Sequence, residues 1–452
     1  MNLYKSISIS GHNYTEDMPL FQKIQLAVVG LGFLIMLLAA FNFEALHSSW
    51  WLLASLGMII MGTIGYGYGQ YSGTVAGIKN NHVWQASLSS RGVIAWILGV
   101  FLTGFYVVLY WYPQFLGLGV AGAANTGLVG FFDPLSRLLK GQPASQWFMY
   151  GALYTIAIVT LGMKFIYKYR HSQYQVFRTI SIMFFQTIFA FLLPELLLRL
   201  NIPSNDFKNV WPLNYNFFFD WHIDEMIKAG MFGYFILFWG IIMFLIITPI
   251  LTYFYGKRWY CSWVCGCGGL AESAGDSFRQ LSDKSLKAWK IERWMVHSVL
   301  VFVFLMTAMV LYTRFSGNSR ILFLDSYQLS SWYGFLIGAA FSGVVGVGFY
   351  PLLGGRVWCR FGCPMAAYLG LLQRINTKFK IGKKDITLQA KFRITTNGSQ
   401  CISCGNCSTF CEMGIDVKAY AQRQEDILRS SCVGCGVCSA VCPRGVLRLE
   451  NL

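Results

Sequence analysis

The sequence predicts a mainly α-helical protein, a polytopic membrane bundle of about eight spans with a C-terminal ferredoxin domain of the bacterial 2[4Fe-4S] type. Three observations predict it. Of 452 residues, 55% are hydrophobic and 12% charged, with mean hydropathy +0.48, whereas a soluble domain carries about 25% charged residues. Apolar stretches of the roughly 20 residues that a helix needs to cross a bilayer recur as far as residue 353. Eight of the thirteen cysteines then fall between residues 401 and 442.

Residues 1–22, MNLYKSISISGHNYTEDMPLFQ, are polar and lack the basic start and apolar run of a cleavable leader. They are expected to form a cytoplasmic segment, with the first span acting as its own insertion signal. Within the bundle, 23–354, spans are expected at about 24–43, 50–67, 93–112, 148–167, 179–199, 231–254, 296–315 and 332–353. With the N-terminus inside, the inner connections before the tail hold 14 Lys and Arg and the outer ones hold 5, the bias that sets orientation. An even number of spans leaves both termini and the ferredoxin domain in the cytoplasm, on a bacterial inner membrane.

The second span dissolves into GTIGYGYGQYSGTVAG, in which Thr63, Ile64, Gly65, Tyr66 and Gly67 read close to a potassium filter. A filter is a re-entrant loop behind a pore helix, and here the motif ends an apolar span, so an ion channel is the remote alternative. The long outer segments, 113–147 and 201–230, are aromatic and proline-bearing. They are expected to pack at the lipid interface, where Trp and Tyr collect, with partner docking as the alternative.

From 354 onward the chain holds 14 Lys and Arg against 6 Asp and Glu, half of the formal +16. Anionic lipid attracts such a juxtamembrane band, so the basic pI calls for no nucleic acid. A basic linker is expected over 355–395 and the ferredoxin domain over 396–452. There CISCGNCSTFC and CVGCGVCSAVCP repeat the spacing C-x2-C-x2-C-x3-C, in which the fourth cysteine of each run ligates the other cluster. One [4Fe-4S] cluster is thus assigned to Cys401, Cys404, Cys407 and Cys442, the second to Cys432, Cys435, Cys438 and Cys411. Zinc sites end in paired ligands and give no reason for third and fourth cysteines at these offsets, and disulfides need an oxidising compartment. Pro443 follows Cys442, but Glu412 stands in the equivalent place after Cys411. That departure is expected to matter little, because the proline supplies no ligand.

The other five cysteines follow spans six and eight. KRWYCSWVCGCGGL holds Cys261, Cys265 and Cys267, and GRVWCRFGCPMAAYLG holds Cys359 and Cys363. Two C-x3-C pairs at one depth offer four thiolates, ligands that select iron-sulfur, zinc or copper(I). A third centre is expected at Cys261, Cys265, Cys359 and Cys363, with Cys267 a doubtful member. The alternative is that they are reduced thiols buried as small apolar residues.

Several spans, two C-x3-C segments and a double ferredoxin run resemble the bacterial membrane-bound polyferredoxins. These include NapH-like quinol-dehydrogenase components of nitrate respiration, NosR-type proteins of nitrous oxide respiration and FixG/CcoG-type oxidase-assembly proteins. Cys261, Cys265, Cys359, Cys363, Pro364 and the eight tail cysteines carry the likeness, which covers 231–452; the first five spans match by hydropathy alone. The sequence departs from the pattern where Gly266 and Cys267 replace the proline after Cys265. It also shows no flavin domain of the NosR kind and no room for the β-domain of the FixG kind. The resemblance implies an electron-transfer core whose flavin or haem belongs to partner redox subunits.

The hydrocarbon core is roughly 30 Å thick, so something must bridge it. Of His12, His47, His82, His171, His222 and His297, only His297 lies near a span interior, which disfavours haem within the chain. A quinone needs only an apolar slot and a few polar groups. Glu195, beside Pro194 in span five, is the leading intramembrane carboxylate, with Arg199 one turn on as its expected structural partner and His222 nearby for protons. The leading function is electron transfer through [4Fe-4S] clusters between the quinone pool or a cytoplasmic donor and a respiratory redox partner. Reductive copper handling for a respiratory metalloenzyme is the alternative. No catalytic triad, phosphate loop or paired-carboxylate site is evident.

Overall fold

The computed structural model describes residues 19–73, 91–120, 122–256, 258–321, 324–378, 392–397 and 400–451. His12, His82 and most of the expected linker lie outside them. Seven helices among the described residues are long and apolar enough to cross a membrane: Leu20–Ala40, Ser49–Tyr71, Val93–Trp111, Gln146–Lys168, Gln173–Arg199, Met231–Tyr255 and Leu286–Ser316. Polar caps fix the starts of two, since Ser145 Oγ accepts from Phe148 N and Ser285 Oγ from Ala288 N. Prolines shape two others. Pro194 and Pro249 follow the π-helical stretches Phe185–Leu192 and Met243–Ile247, where a widened turn accommodates the ring and the missing N–H.

The eighth expected span differs from its expected bounds. Asp325, at the end of a two-residue hairpin with Arg320–Ile321, accepts from Tyr327 N at 2.9 Å and starts a helix at Ser326. That helix turns π-helical over Gly334–Val345 and stops well short of 353. Its first turns carry Gln328, Ser330 and Ser331, so it is less apolar than the other seven. It nevertheless packs within the bundle: Tyr110 Oη, from the third span, donates to Gly338 O at 3.4 Å.

Successive passes alternate. Arg91, just before the third span, donates to Leu352 O and Leu281 O at 2.8 and 3.1 Å. Lys168, at the end of the fourth, pairs with Asp276 at 2.7 Å, and Tyr174, at the start of the fifth, reaches the cysteine tail. Arg91, Lys168, Tyr174, Asp276, Leu281 and Leu352 thus gather at the tail-facing end of the bundle. Thr63 to Gly67 lie inside the continuous helix Ser49–Tyr71, where helical bonds occupy the carbonyls that a filter would need free. The channel expectation ends there.

The outer segment 201–219 does not lie along the lipid interface. Val210, Trp211 and Phe217 are buried in the same core as the membrane-end cysteines. Trp211 Nε1 donates to Thr307 Oγ1 at 3.1 Å, and its ring stands 4.6 Å from Phe244 and 4.8 Å from Phe304. In segment 113–147, Asp133 ties Asn125 and Ala144 together at 2.8 Å each and closes the cap over the first, second and fourth spans.

In the tail, strands Phe392–Thr396 and Leu447–Asn451 pair antiparallel, from Phe392 opposite Asn451 to Thr396 opposite Leu447. Between them lie two cysteine loops and the short helices Asn406–Thr409, Val417–Gln422 and Val437–Ala440.

Candidate iron-sulfur centres

The tail encloses two voids. Cys401, Cys404, Cys407 and Cys442 line one, of about 370 Å³ including its mouth. Cys411, Cys432, Cys435 and Cys438 line the other, of about 360 Å³. This is the crosswise grouping expected from the spacing, with the fourth cysteine of each run delivered to the other void. Gly434 N points at Cys432 Sγ at 3.4 Å, the kind of N–H···S contact that tunes a thiolate-bound cluster. Four thiols lining one void are the donor set that a [4Fe-4S] core takes.

The two halves, alike in sequence, differ in surroundings. The loop that holds Cys432 and Cys435 is docked on the bundle: Tyr174 Oη donates to Gly434 O at 2.8 Å, Gln175 Nε2 to Cys435 O at 2.6 Å and Ser262 Oγ to Val433 O at 2.9 Å. Two glycines at equivalent positions measure the difference. Gly405 and Gly436 both have positive φ, 81° and 71°, yet a Cβ on Gly405 would meet nothing within 4 Å while one on Gly436 would stand 3.1 Å from Gln175. The second void therefore faces the membrane bundle. The first opens away from it, rimmed by exposed Ile402, Pro443 and Arg444 and by Lys418.

The membrane-end cysteines are not at the surface. After Tyr255 the chain turns back into the bundle through the short helices Trp259–Trp263 and Gly266–Ser273. Trp263 O accepts from Ser181 Oγ at 2.9 Å. A side chain on Gly266 would collide with Gln186 and stand 3.3 Å from the Tyr154 ring. Gln186 lies roughly 20 Å along its helix from Gln173 at 1.5 Å per residue, so Gly266 sits at mid-depth, while Cys261 lies nearer the tail, beside Ser262, which bonds Val433 O. Cys261, Cys265, Cys359 and Cys363 are 2 to 6% exposed and share one core. From the opposite side the 201–219 segment comes down to meet them, and Tyr260 Oη donates to Lys208 O at 2.6 Å.

Cys267 differs from these four, being only partly buried and packed at the margin of the same core.

An ionic knot joins the two regions. Glu412, fully buried, accepts from Arg356 Nε at 2.9 Å and pairs with Arg279 at 3.0 Å. Burial pushes its carboxyl up, but Arg279 and Arg356 more than offset this and hold it below its ordinary value. Arg356 also pairs with Glu272, donates to Cys261 O at 3.1 Å and reaches Cys359 Sγ at 3.9 Å. Glu272 in turn pairs with Arg178, while Asp276 binds Arg279 and Lys168, each at 2.7 Å. The departure after Cys411, expected to matter little, is the centre of the interface. Arg356, three residues before Cys359, was the sequence feature that could have hinted at it. Nothing in the spacing pointed to Glu412.

The far-side candidates stand apart from one another. Glu195 pairs with Lys140 at 3.7 Å instead of Arg199, whose Nη1 donates to Leu138 O at 2.5 Å. Pro194 and the preceding π stretch set the direction of this turn. His222 is buried against Phe217, its Nδ1 3.1 Å from Phe217 O, and burial lowers its pKa.

Comparison with known proteins adds three findings. The family described as 4Fe-4S dicluster domain matches residues 393–443. The family described as 4Fe-4S binding domain matches 236–285 and 336–382, the segments holding the membrane-end cysteines. The chain is 24% identical over 194 residues to the Escherichia coli (strain K12) protein named "Putative electron transport protein YccM", a match covering 40% of this chain and 47% of that protein. No solved structure matches. These matches agree with the resemblance to membrane polyferredoxins: this is a multi-pass membrane protein with 4Fe-4S domains.

Proposed function

We propose that this chain, which carries the 4Fe-4S domains of the membrane polyferredoxins it resembles, transfers electrons between a redox partner on its ferredoxin side and the membrane. Cys401, Cys404, Cys407 and Cys442 hold one [4Fe-4S] cluster, and Cys411, Cys432, Cys435 and Cys438 hold the second. The observation that carries the reading is the pair of four-thiol voids, matched to the crosswise spacing. Bound there, such clusters supply one-electron transfer. The protein's part is to wall the second void with Ile394, Val417 and Ile427 and to hold it against the bundle, leaving the first open to a partner.

Cys261, Cys265, Cys359 and Cys363 hold a third iron-sulfur centre. The 4Fe-4S binding family over both segments supports this, as does the packing of four buried thiols in one core. Copper(I), which the same soft thiolates would also take, is the second reading, and the family matched over both segments favours iron-sulfur. The ferredoxin side is cytoplasmic on a bacterial inner membrane, by the excess of Lys and Arg there. Partner subunits bring flavin or haem, and quinone exchanges electrons with the buried half of the molecule. In that role Glu195, Arg199 and His222 serve as separate polar groups around the opposite face.

Anaerobic purification with metal analysis and EPR-monitored redox titration tests this. About twelve iron atoms per chain and reduction by added quinol are expected. Stoichiometric zinc or copper in place of iron, or colourless protein, would overturn it.

A further inference from the structure

We infer that Glu412 and Arg356 are positioning residues that set the reduction potentials of the second tail centre and the buried membrane centre, and so fix their order relative to the first. This deepens the proposed function and rests on its ligand assignments. The knot holds four buried cations, Lys168, Arg178, Arg279 and Arg356, against three carboxylates, Glu272, Asp276 and Glu412. It lies between the two centres and touches both. Glu412 directly follows Cys411 and lines the second void, while Arg356 reaches Cys359 Sγ at 3.9 Å and Cys261 O at 3.1 Å.

Each centre gains a negative charge on reduction. A surplus cation in a poorly screened interior favours the reduced form, and net charge around a cluster is one of the factors that set its potential. Among the described residues the first void has no such buried neighbour; Lys418 and Arg444 on its rim are in reach of solvent. The knot therefore holds the two inner centres at higher potential than the outer one. Arg360 and Glu292, a buried pair at 3.2 Å close by, cancel each other. A proline at position 412, which the second repeat has at Pro443, would remove the carboxylate that Arg279 and Arg356 share.

The test is EPR-monitored redox titration of the full-length protein with iron counted in each variant. Glu412→Gln removes a negative charge and should raise the midpoint of the second tail centre. Arg356→Gln removes a positive one and should lower the midpoints of that centre and of the buried one. Each shift should be at least tenfold in the reduction equilibrium, about 59 mV for a one-electron couple. Glu412→Asp and Arg356→Lys, which keep the charges, should restore the parent values, and the first centre should not move. If Glu412→Gln loses iron, Glu272→Gln takes its place, with the buried centre expected to rise. Shifts of one sign in both charge-removing variants, no shift in iron-replete protein, or equal movement of the first centre would each overturn the inference. Failure of the ligand assignments would appear separately, as missing clusters in the unaltered protein.

Discussion

Cys265 and Cys267 illustrate how far residue identity alone leads. Spacing names Cys265 as a ligand and leaves Cys267 ambiguous, because a C-x-C pair and a C-x3-C pair overlap there. Burial separates them: Cys265 is 6% exposed and lies within the core, whereas Cys267 is only partly buried at its margin. Cys265→Ser is expected to remove about four iron atoms per chain and the corresponding EPR signal, whereas Cys267→Ser should leave both in place. Asp276 is the equivalent case for stability. It is buried between Lys168 and Arg279, and removing one partner of such a cluster leaves uncompensated charge. Asp276→Asn should therefore cost about 3–5 kcal/mol, read as a loss of thermal stability in detergent at unchanged iron content. Neither Asp276 nor Glu412 announces itself in the sequence, since an acid in a short polar connection reads as a solvated charge. Only the convergence of 168–178, 272–279, 356 and 412 shows otherwise.

At the scale of elements, seven spans and the ferredoxin repeat were legible because their signals are local, a run of apolar residues and a fixed cysteine interval. What was not legible was depth. KRWYCSWVCGCGGL follows a span and carries charge, so it reads as a surface turn; in the structure it re-enters the bundle, where glycines allow the close approach. Gly266 packs on Gln186 and Tyr154, and Gly269 on Ile182. Gly269→Leu should overpack this site by about 1–3 kcal/mol and remove the buried centre while both tail clusters remain, visible as a fall in iron from about twelve to about eight atoms per chain. The segment 201–219 misled in the same way, since buried aromatic side chains and interfacial ones have the same composition. Tyr260→Phe, which leaves the buried carbonyl of Lys208 unsatisfied, should destabilise the protein by about 1–3 kcal/mol.

For the whole molecule, the docked half and the free half of the ferredoxin unit divide the labour. The free half presents Ile402 with Lys418 and Arg444 around the first void, a basic rim suited to an acidic electron carrier. Electron exchange with a negatively charged ferredoxin should slow as salt rises, because exposed charges are screened beyond about 10 Å at 0.1 M. Arg444→Glu should slow it further at low salt while leaving the reaction with a cationic viologen no slower. Stopped-flow absorbance measures both.

The ionic knot has a consequence for biogenesis. Its charges come from stretches synthesised far apart, and Glu412, the last to emerge from the ribosome, neutralises arginines already committed to the membrane. Until the tail folds, Arg279 and Arg356 lack a counter-ion they share. A half-made chain therefore holds one carboxylate fewer for its buried arginines, which then have only Asp276 and Glu272 to pair with, and folding of the tail completes the charge balance of the helices beside it.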